Sequence, residues 1–257
     1  LATIALSWIR KDTRMGPSRI GQSLVGGAQS NAAAGAAIGS LGIIIGGIVL
    51  AGLGLKSSAV LVDLSGGYLL LALVLVTRIS IIIGMGSSTT GSYIILSVVA
   101  APALIQLGVP TVAAHLAVFY AACLSNITPP VCVAAFAGAA IAGADPMKTG
   151  FAALKYGATL ILMPFTFAYV PGLLLDGSVA EVVHSTAAYL VGVLALAIAL
   201  QGTDPIAGRL NNVRRALFGI GALILLFPAH FALDVIGAVI LAGALAPSLS
   251  FSRRTST

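Results

Sequence analysis

The chain has 257 residues, of which 59% are hydrophobic and 8% charged, with a formal net charge of +6 and a mean hydropathy of +1.09. Soluble domains carry about 25% charged residues, so one water-exposed core is excluded and lipid must be part of the solvent. The basic residues are dispersed in short connections between apolar runs, which excludes nucleic acid as a partner and reads as an orientation signal for a bilayer.

In chain order, residues 1–9 (LATIALSWI) read as the end of a helix in a longer chain, and a basic stretch follows with Arg10, Lys11, Arg14 and Arg19. Residues 18–30 are polar to amphipathic and are expected to lie along the membrane surface. The first span is expected at 31–54, where abundant Gly and Ala let helix backbones approach closely. A loop with Lys56 and Asp63 comes next. Apolar runs 66–83 and 91–107 flank the uncharged turn GMGSSTT (84–90), and Gly-Val-Pro at 108–110 breaks the chain. The stretch 111–143 is longer than one span of about 20 residues and is interrupted by SNITPP (125–130). After the loop ADPMKTG, spans are expected at 155–175 and 181–200. A polar connection carries Arg209, Arg214 and Arg215, and the run 216–248 is broken at Pro228 into two short helices. The expected fold class is all-α: a multi-pass membrane protein with a re-entrant hairpin and a broken helix.

Charge orders these elements. If 66–107 and 216–248 each return to the side they left, Arg10, Lys11, Arg14, Arg19, Lys148, Lys155, Arg209, Arg214, Arg215, Arg253 and Arg254 all fall on the cytoplasmic side. Lys56 lies outside and Arg78 within a helix, so the arrangement obeys the positive-inside rule. The rule does not choose between a half-depth hairpin and two full spans for 66–107, since both return to the same side. Arg78 is expected to face protein, water or the interface. Cys123 and Cys132, both in apolar surroundings, read as core residues with no disulfide or metal motif.

The two interruptions carry the chemistry. An unpaired backbone group in hydrocarbon costs several kcal/mol, so an irregular segment at membrane depth has to be buried in protein or line a cavity. In the first, Gly84 and Gly86 permit sharp turns, and Ser87, Ser88, Thr89 and Thr90 offer hydroxyl oxygens. In the second, Pro129 and Pro130 lack N–H groups and leave carbonyls near Ser125 and Asn126 without helical partners. Ser125, Asn126 and Thr128 add side-chain oxygens. Neutral oxygens suit a hard cation such as Na⁺, and half-helix N-termini favour a carboxylate. The cation donors expected are Ser88, Thr89, Asn126 and Thr128.

At these residues a family becomes visible. The run GLGLK…GMGSSTTGSYIIL…APAL…LGVP…AAHLAVFY…LSNITPPVCVAAFAGAAIAGADPMKTG resembles the large membrane subunit of tripartite ATP-independent periplasmic (TRAP) transporters, most of all the fused type that works with TAXI-type binding proteins. The resemblance covers about residues 10–177 and is weaker over 178–257. It implies an elevator-type carrier of two inverted repeats, of which this chain would be the second plus a tail of additional helices. Residues 1–30 would be the end of a preceding helix and a connecting arm. Residues 31–177 would be the transport core, with hairpin 66–107 and broken helix 111–143. The tip and the break would face each other and bind sodium beside the substrate through Gly84, Gly86, Ser87, Ser88, Thr89, Thr90, Ser125, Asn126, Ile127 (by its carbonyl), Thr128 and Pro129. The implied partners are a periplasmic TAXI-type solute-binding protein, the first-repeat half and a small-subunit-like segment, in a bacterial or archaeal inner membrane. No cofactor is implied beyond Na⁺ as coupling ion. In one respect the chain departs from the family, whose tip usually reads Gly-Met-Gly-Leu-Pro-Thr-Thr. Ser87 and Ser88 replace Leu-Pro, which frees an N–H and softens the tip; a changed substrate preference, a changed ion affinity and a degraded copy all stay open.

Other classes fit less well. Proton coupling and a non-transporting fragment remain as alternatives. An intramembrane hydrolase built on Ser87 or Ser88 needs a positioned base, and the nearest in sequence, His115, has no acid to orient it. The chain therefore reads as no enzyme. A channel would show rings of polar residues from several subunits, and there is no Walker A motif. His230 and Asp234, four apart, form an acid–imidazole pair that reads as lying near water at a hairpin turn rather than as a proton relay. His115 and His184 read as interfacial packing residues.

Overall fold

The computed structural model of the chain describes residues 4, 7–9, 14–85, 87–204, 208–227 and 231–255; at residues 30, 33, 34, 37, 38, 231 and 246–255 it describes the backbone alone. Among these residues the chain is helical apart from one small antiparallel ribbon, which pairs Thr203 with Arg209 and Asp204 with Gly208. The chain divides into two compact units, residues 1–51 and 52–257.

The first unit is dominated by α1, Pro17–Leu50. Pro17 opens it, where a missing N–H costs nothing and φ is already helical. No helix break falls near residue 31, where the first span was expected to start. Polar residues 18–30 belong to the same helix as the Gly/Ala-rich segment, because nothing between them interrupts the backbone ladder.

The second unit begins at Gly52, whose φ of 65° is the left-handed conformation that glycine adopts without penalty. It leads into α2, Leu53–Leu64, where a loop was expected. Gly54, Ser58 and Leu61 are buried at helical spacing, while Lys56 and Asp63 lie on the exposed face. The charges mark one side of a helix and not a turn. The hairpin follows: α3, Leu69–Gly84, then α4, Thr89–Val99, and α5, Ala101–Gln106. The run 91–107 is thus two helices that meet at Ala100, with Pro102 in the first turn of the second. Arg78 sits on the exposed side of α3.

The broken helix is α6, Thr111–Leu124, and α7, Val133–Ala142. The first arm is central, packing against the hairpin helices α3 and α4 and against a later helix, α9. It can do so because its buried face is small: Ala113, Ala114, Ala117, Ala121 and Ala122 are all 0–1% exposed. Next, α8 (Pro146–Tyr156) and α9 (Ala158–Tyr169) run on through Gly157. Together, residues 146–169 form a stretch long and apolar enough to cross a membrane. This span begins earlier than the expected 155 and ends at Tyr169, before a 3-10 turn at Pro171–Leu174.

A second span-length helix, α10, covers Val179–Gln201. It is followed by α11, Asn212–Leu226, and α12, Phe231–Thr255, which agree with a tail interrupted near Pro228. Pro228 itself lies outside the described residues. Glycines set the spacing here: Gly192 faces Leu226, where a Cβ would be tight, and Gly221 faces Leu241, where a Cβ would clash. Large apolar side chains such as Ile141, Leu190, Leu194 and Val239 are exposed, as suits a chain whose outer surface meets lipid.

Candidate functional site

The tip of the hairpin is organised by its own hydroxyls. Ser88 is the N-cap of α4 and accepts a hydrogen bond from the Gly91 N–H at 3.2 Å, satisfying one of the orphan donors of a helix start. Ser87 Oγ lies 2.7 Å from Ser92 Oγ, and Ser92 Oγ donates to the Ser88 carbonyl at 3.1 Å. The expected softening of the tip is therefore offset locally, because the serines that stand in place of Leu-Pro tie the turn to the first coil of α4. Ser92 was not foreseen in this role; a hydroxyl four residues beyond an N-cap serine is the signal that would have found it. Thr90 is exposed in the first turn of α4, and Gly86 lies outside the described residues.

The break is a tightening of α6 followed by an unwound segment. The N–H groups of Ser125, Asn126 and Ile127 donate to the carbonyls three residues back, at 3.4, 3.2 and 3.1 Å. Pro129 and Pro130 then stop the ladder. Some of the carbonyls freed by the prolines find other donors. Asn126 O accepts from Ala134 N at 3.2 Å across the break, and Thr128 O accepts from Cys132 N at 3.3 Å. The expectation that Asn126 keeps a free carbonyl is corrected on this point: the returning arm supplies the missing N–H. The carbonyls of Ser125 and Ile127 accept no hydrogen bond among the described residues.

Tip and break come together. Asn126 Nδ2 donates to Thr89 Oγ1 at 2.9 Å and to the Cys123 carbonyl at 3.3 Å. A carbonyl can only accept, which fixes the amide orientation with its nitrogen inward and leaves Oδ1 as a free acceptor. One turn away, Gly84 lies so close to the break that a Cβ on it would stand 2.5 Å from Ser125 Oγ and 2.6 Å from Ser125 Cβ. Ser125 is 3% exposed, and its hydroxyl donates to the Ala122 carbonyl at 2.9 Å. Thr128 Oγ1 donates to the Leu124 carbonyl at 2.7 Å, which keeps its lone pairs available. The hydroxyls of Ser87 and Ser88 are engaged within the tip, Ser88 Oγ as the cap of α4.

Of the oxygens expected to serve a cation, Thr89 Oγ1 is in contact with Asn126 and Thr128 Oγ1 is bonded to the Leu124 carbonyl, with the carbonyls of Ser125 and Ile127 in the same break. Neutral oxygens are the ligands a hard cation takes. Among the described residues no group of three His, Cys, Asp or Glu gathers as a site for a transition metal. His115, the base nearest in sequence to Ser87 and Ser88, has its Nδ1 3.2 Å from Tyr93 Oη, with Tyr93 edge-on to Phe119. Those three side chains line a cavity of about 500 Å³ with Thr111, Val112 and Leu116.

A second polar contact lies in the tail. His184 Nε2 of α10 is 2.7 Å from Asp234 Oδ2 of α12. The sequence pairs Asp234 with His230, but His230 lies outside the described residues, and the partner observed is 50 positions away. His184 is thus part of an acid–imidazole contact rather than a packing residue. Asp234 is 5% exposed, and its Oδ1 is buried without a hydrogen-bond partner among the described residues.

Against known proteins, the family model for the tripartite ATP-independent periplasmic transporter, DctM component, matches residues 1–182, well over half of the chain. No curated protein and no solved structure matches it.

Proposed function

Starting from the chain's membership in the DctM family, the large membrane component of tripartite ATP-independent periplasmic transporters, we propose that it is the second-repeat half of a sodium-coupled symporter for an organic acid. The family is a secondary-transport component and not an enzyme, and it works with a periplasmic solute-binding protein and a small membrane subunit. Our finer reading is a fused component served by a TAXI-type binding protein in a bacterial or archaeal inner membrane. In this reading residues 31–177 form the transport core, 1–30 a connecting arm, and 178–257 an added set of helices.

The observation that carries this reading is the hydrogen bond from Asn126 to Thr89, 37 residues apart, which ties the hairpin tip to the helix break. Around that bond, free carbonyls and hydroxyls supply a sodium site. The N-terminal end of α4 presents backbone N–H groups and a partial positive charge to a substrate carboxylate. The binding protein delivers the acid, the tip and the break close over acid and ion together, and the core moves across its scaffold as one body. Ion and acid are coupled because each contributes to holding the other's half of the site.

Thr128 gives the direct test. Thr128→Val removes one cation ligand and the hydroxyl that bonds to Leu124 while keeping the side chain's shape. The half-saturating sodium concentration for uptake should rise on the order of tenfold, the equivalent of about 1.4 kcal/mol, with expression unchanged. Sodium dependence identical to the parent protein would remove Thr128 from the site and count against the sodium assignment.

A further inference from the structure

The break is held from behind as well as by the tip. Gly150 in α8 and Gly157 at the α8–α9 junction are seven residues apart, about two helical turns, and so share a face. A Cβ on Gly150 would stand 2.7 Å from Cys132 Sγ and 3.4 Å from Pro129 Cγ. A Cβ on Gly157 would run into Ile127 Cδ1 and stand 3.0 Å from the Ala153 carbonyl. Neither glycine is needed for its backbone angles. Gly150 lies inside a helix, where alanine is the better residue, and Gly157 has a φ of −85°, open to any side chain. What both positions require is space, and the nearest atoms in it, Ile127 Cδ1 at Gly157 and Cys132 Sγ at Gly150, belong to the unwound segment.

Hydrogen bonds tie Thr128 on both sides, through Oγ1 to the Leu124 carbonyl and through its own carbonyl to the Cys132 N–H. The Ile127 N–H is tied to the Leu124 carbonyl at 3.1 Å, but its own carbonyl accepts nothing among the described residues. Thr128 comes next, and then two prolines without N–H groups. The packing of the Ile127 and Pro129 side chains against the two glycines is therefore one of the restraints on the direction of the Ile127 carbonyl. Cys132, at the far end of the segment, is 0% exposed against Gly150. We propose that Gly150 and Gly157 are positioning residues for the cation site: they let the α8–α9 stretch close onto residues 127–132, and that contact aims the Ile127 carbonyl at the ion. The proposal rests on the reading of the break as a sodium site.

The test is a rescue experiment on the reconstituted transporter with its binding protein, measuring half-saturating sodium and maximal uptake rate. Gly157→Ala should raise the sodium requirement on the order of tenfold, with the maximal rate at saturating sodium kept within about twofold of the parent. Adding Ile127→Val deletes the Cδ1 that the new methyl strikes and should recover most of the loss; neighbouring residues that share a clash couple in this non-additive way. Gly150→Ala and its partner Gly150→Ala/Cys132→Ala, which deletes the obstructing sulfur, should behave the same way, and they carry the comparison if Gly157→Ala does not fold. A sodium-dependent parent with single variants that match it, or with doubles no better than singles, would overturn the positioning role and leave the sodium site standing. A parent indifferent to sodium would overturn both.

Discussion

Asn126 illustrates what single residues contribute here. Its amide nitrogen bonds to both a hydroxyl of the tip and a carbonyl of its own helix, so one side chain ties the tip to the break. Gly84 sets the same approach by having no side chain. Gly84→Ala should destabilise the hairpin contact by about 1–3 kcal/mol, the usual cost of overpacking. Because the new methyl meets Ser125 at its Cβ as well as its Oγ, Ser125→Gly should relieve the loss and Ser125→Ala should not, as thermal unfolding of the purified variants would record. At this scale the sequence is informative about which residues matter and much less about what they touch. Uncharged, hydroxyl-rich interruptions in so apolar a chain have to be buried in protein or face a cavity, which singles out Thr89 and Asn126. Their mutual contact follows from the family resemblance and not from spacing. Asp234 shows the limit: helical periodicity points it at His230, whereas His184 reaches it from a different helix 50 residues earlier. No local pattern encodes such a meeting.

Among the elements, the tail helices are fastened at both ends by polar contacts. Ser178 and Glu181 form a capping box at the start of α10, and at its other end Arg215 donates to the Ala199 and Leu200 carbonyls at 2.6 and 3.2 Å. Arg214 joins the buried Asp204 at 2.9 Å and the Ala244 carbonyl of α12 at 3.0 Å. Basic residues expected to mark the cytoplasmic side thus also hold helix ends together. The Arg214–Asp204 pair is inaccessible enough for its loss to matter, with Asp204 0% and Arg214 17% exposed at the side chain. Asp204→Ala should cost about 3–5 kcal/mol, since it strands a charge. Adding Arg214→Leu should return part of that, and a double variant as unstable as the sum of the singles would show that the pair does not act as a unit. Element boundaries were legible where proline or glycine interrupts an apolar run, as at 108–110, 125–130 and around 228. They were missed at α2, because Lys56 and Asp63 resemble a loop until the buried spacing of Gly54, Ser58 and Leu61 is set beside them. The bend at Ala100 was missed as well, though Pro102 carries its signal.

For the molecule as a whole, composition alone required lipid, and the resulting architecture of span-length helices, a hairpin and a broken helix follows from the rule that backbone polar groups in hydrocarbon must be satisfied within the protein. The hairpin and the broken helix each put irregular backbone where the other can cover it. They pack together through the alanine face of α6. The family match ends at residue 182, and the tail that follows has its own core of Phe218, Ala222, Leu226 and Leu241. The central claim is that tip and break together bind sodium and an organic acid. The measurement that bears on it most directly is uptake of candidate organic acids into proteoliposomes holding the complete transporter with its binding protein, with and without an inward sodium gradient. The account predicts uptake that requires both the gradient and the binding protein. Uptake driven by a pH gradient and indifferent to sodium would contradict it.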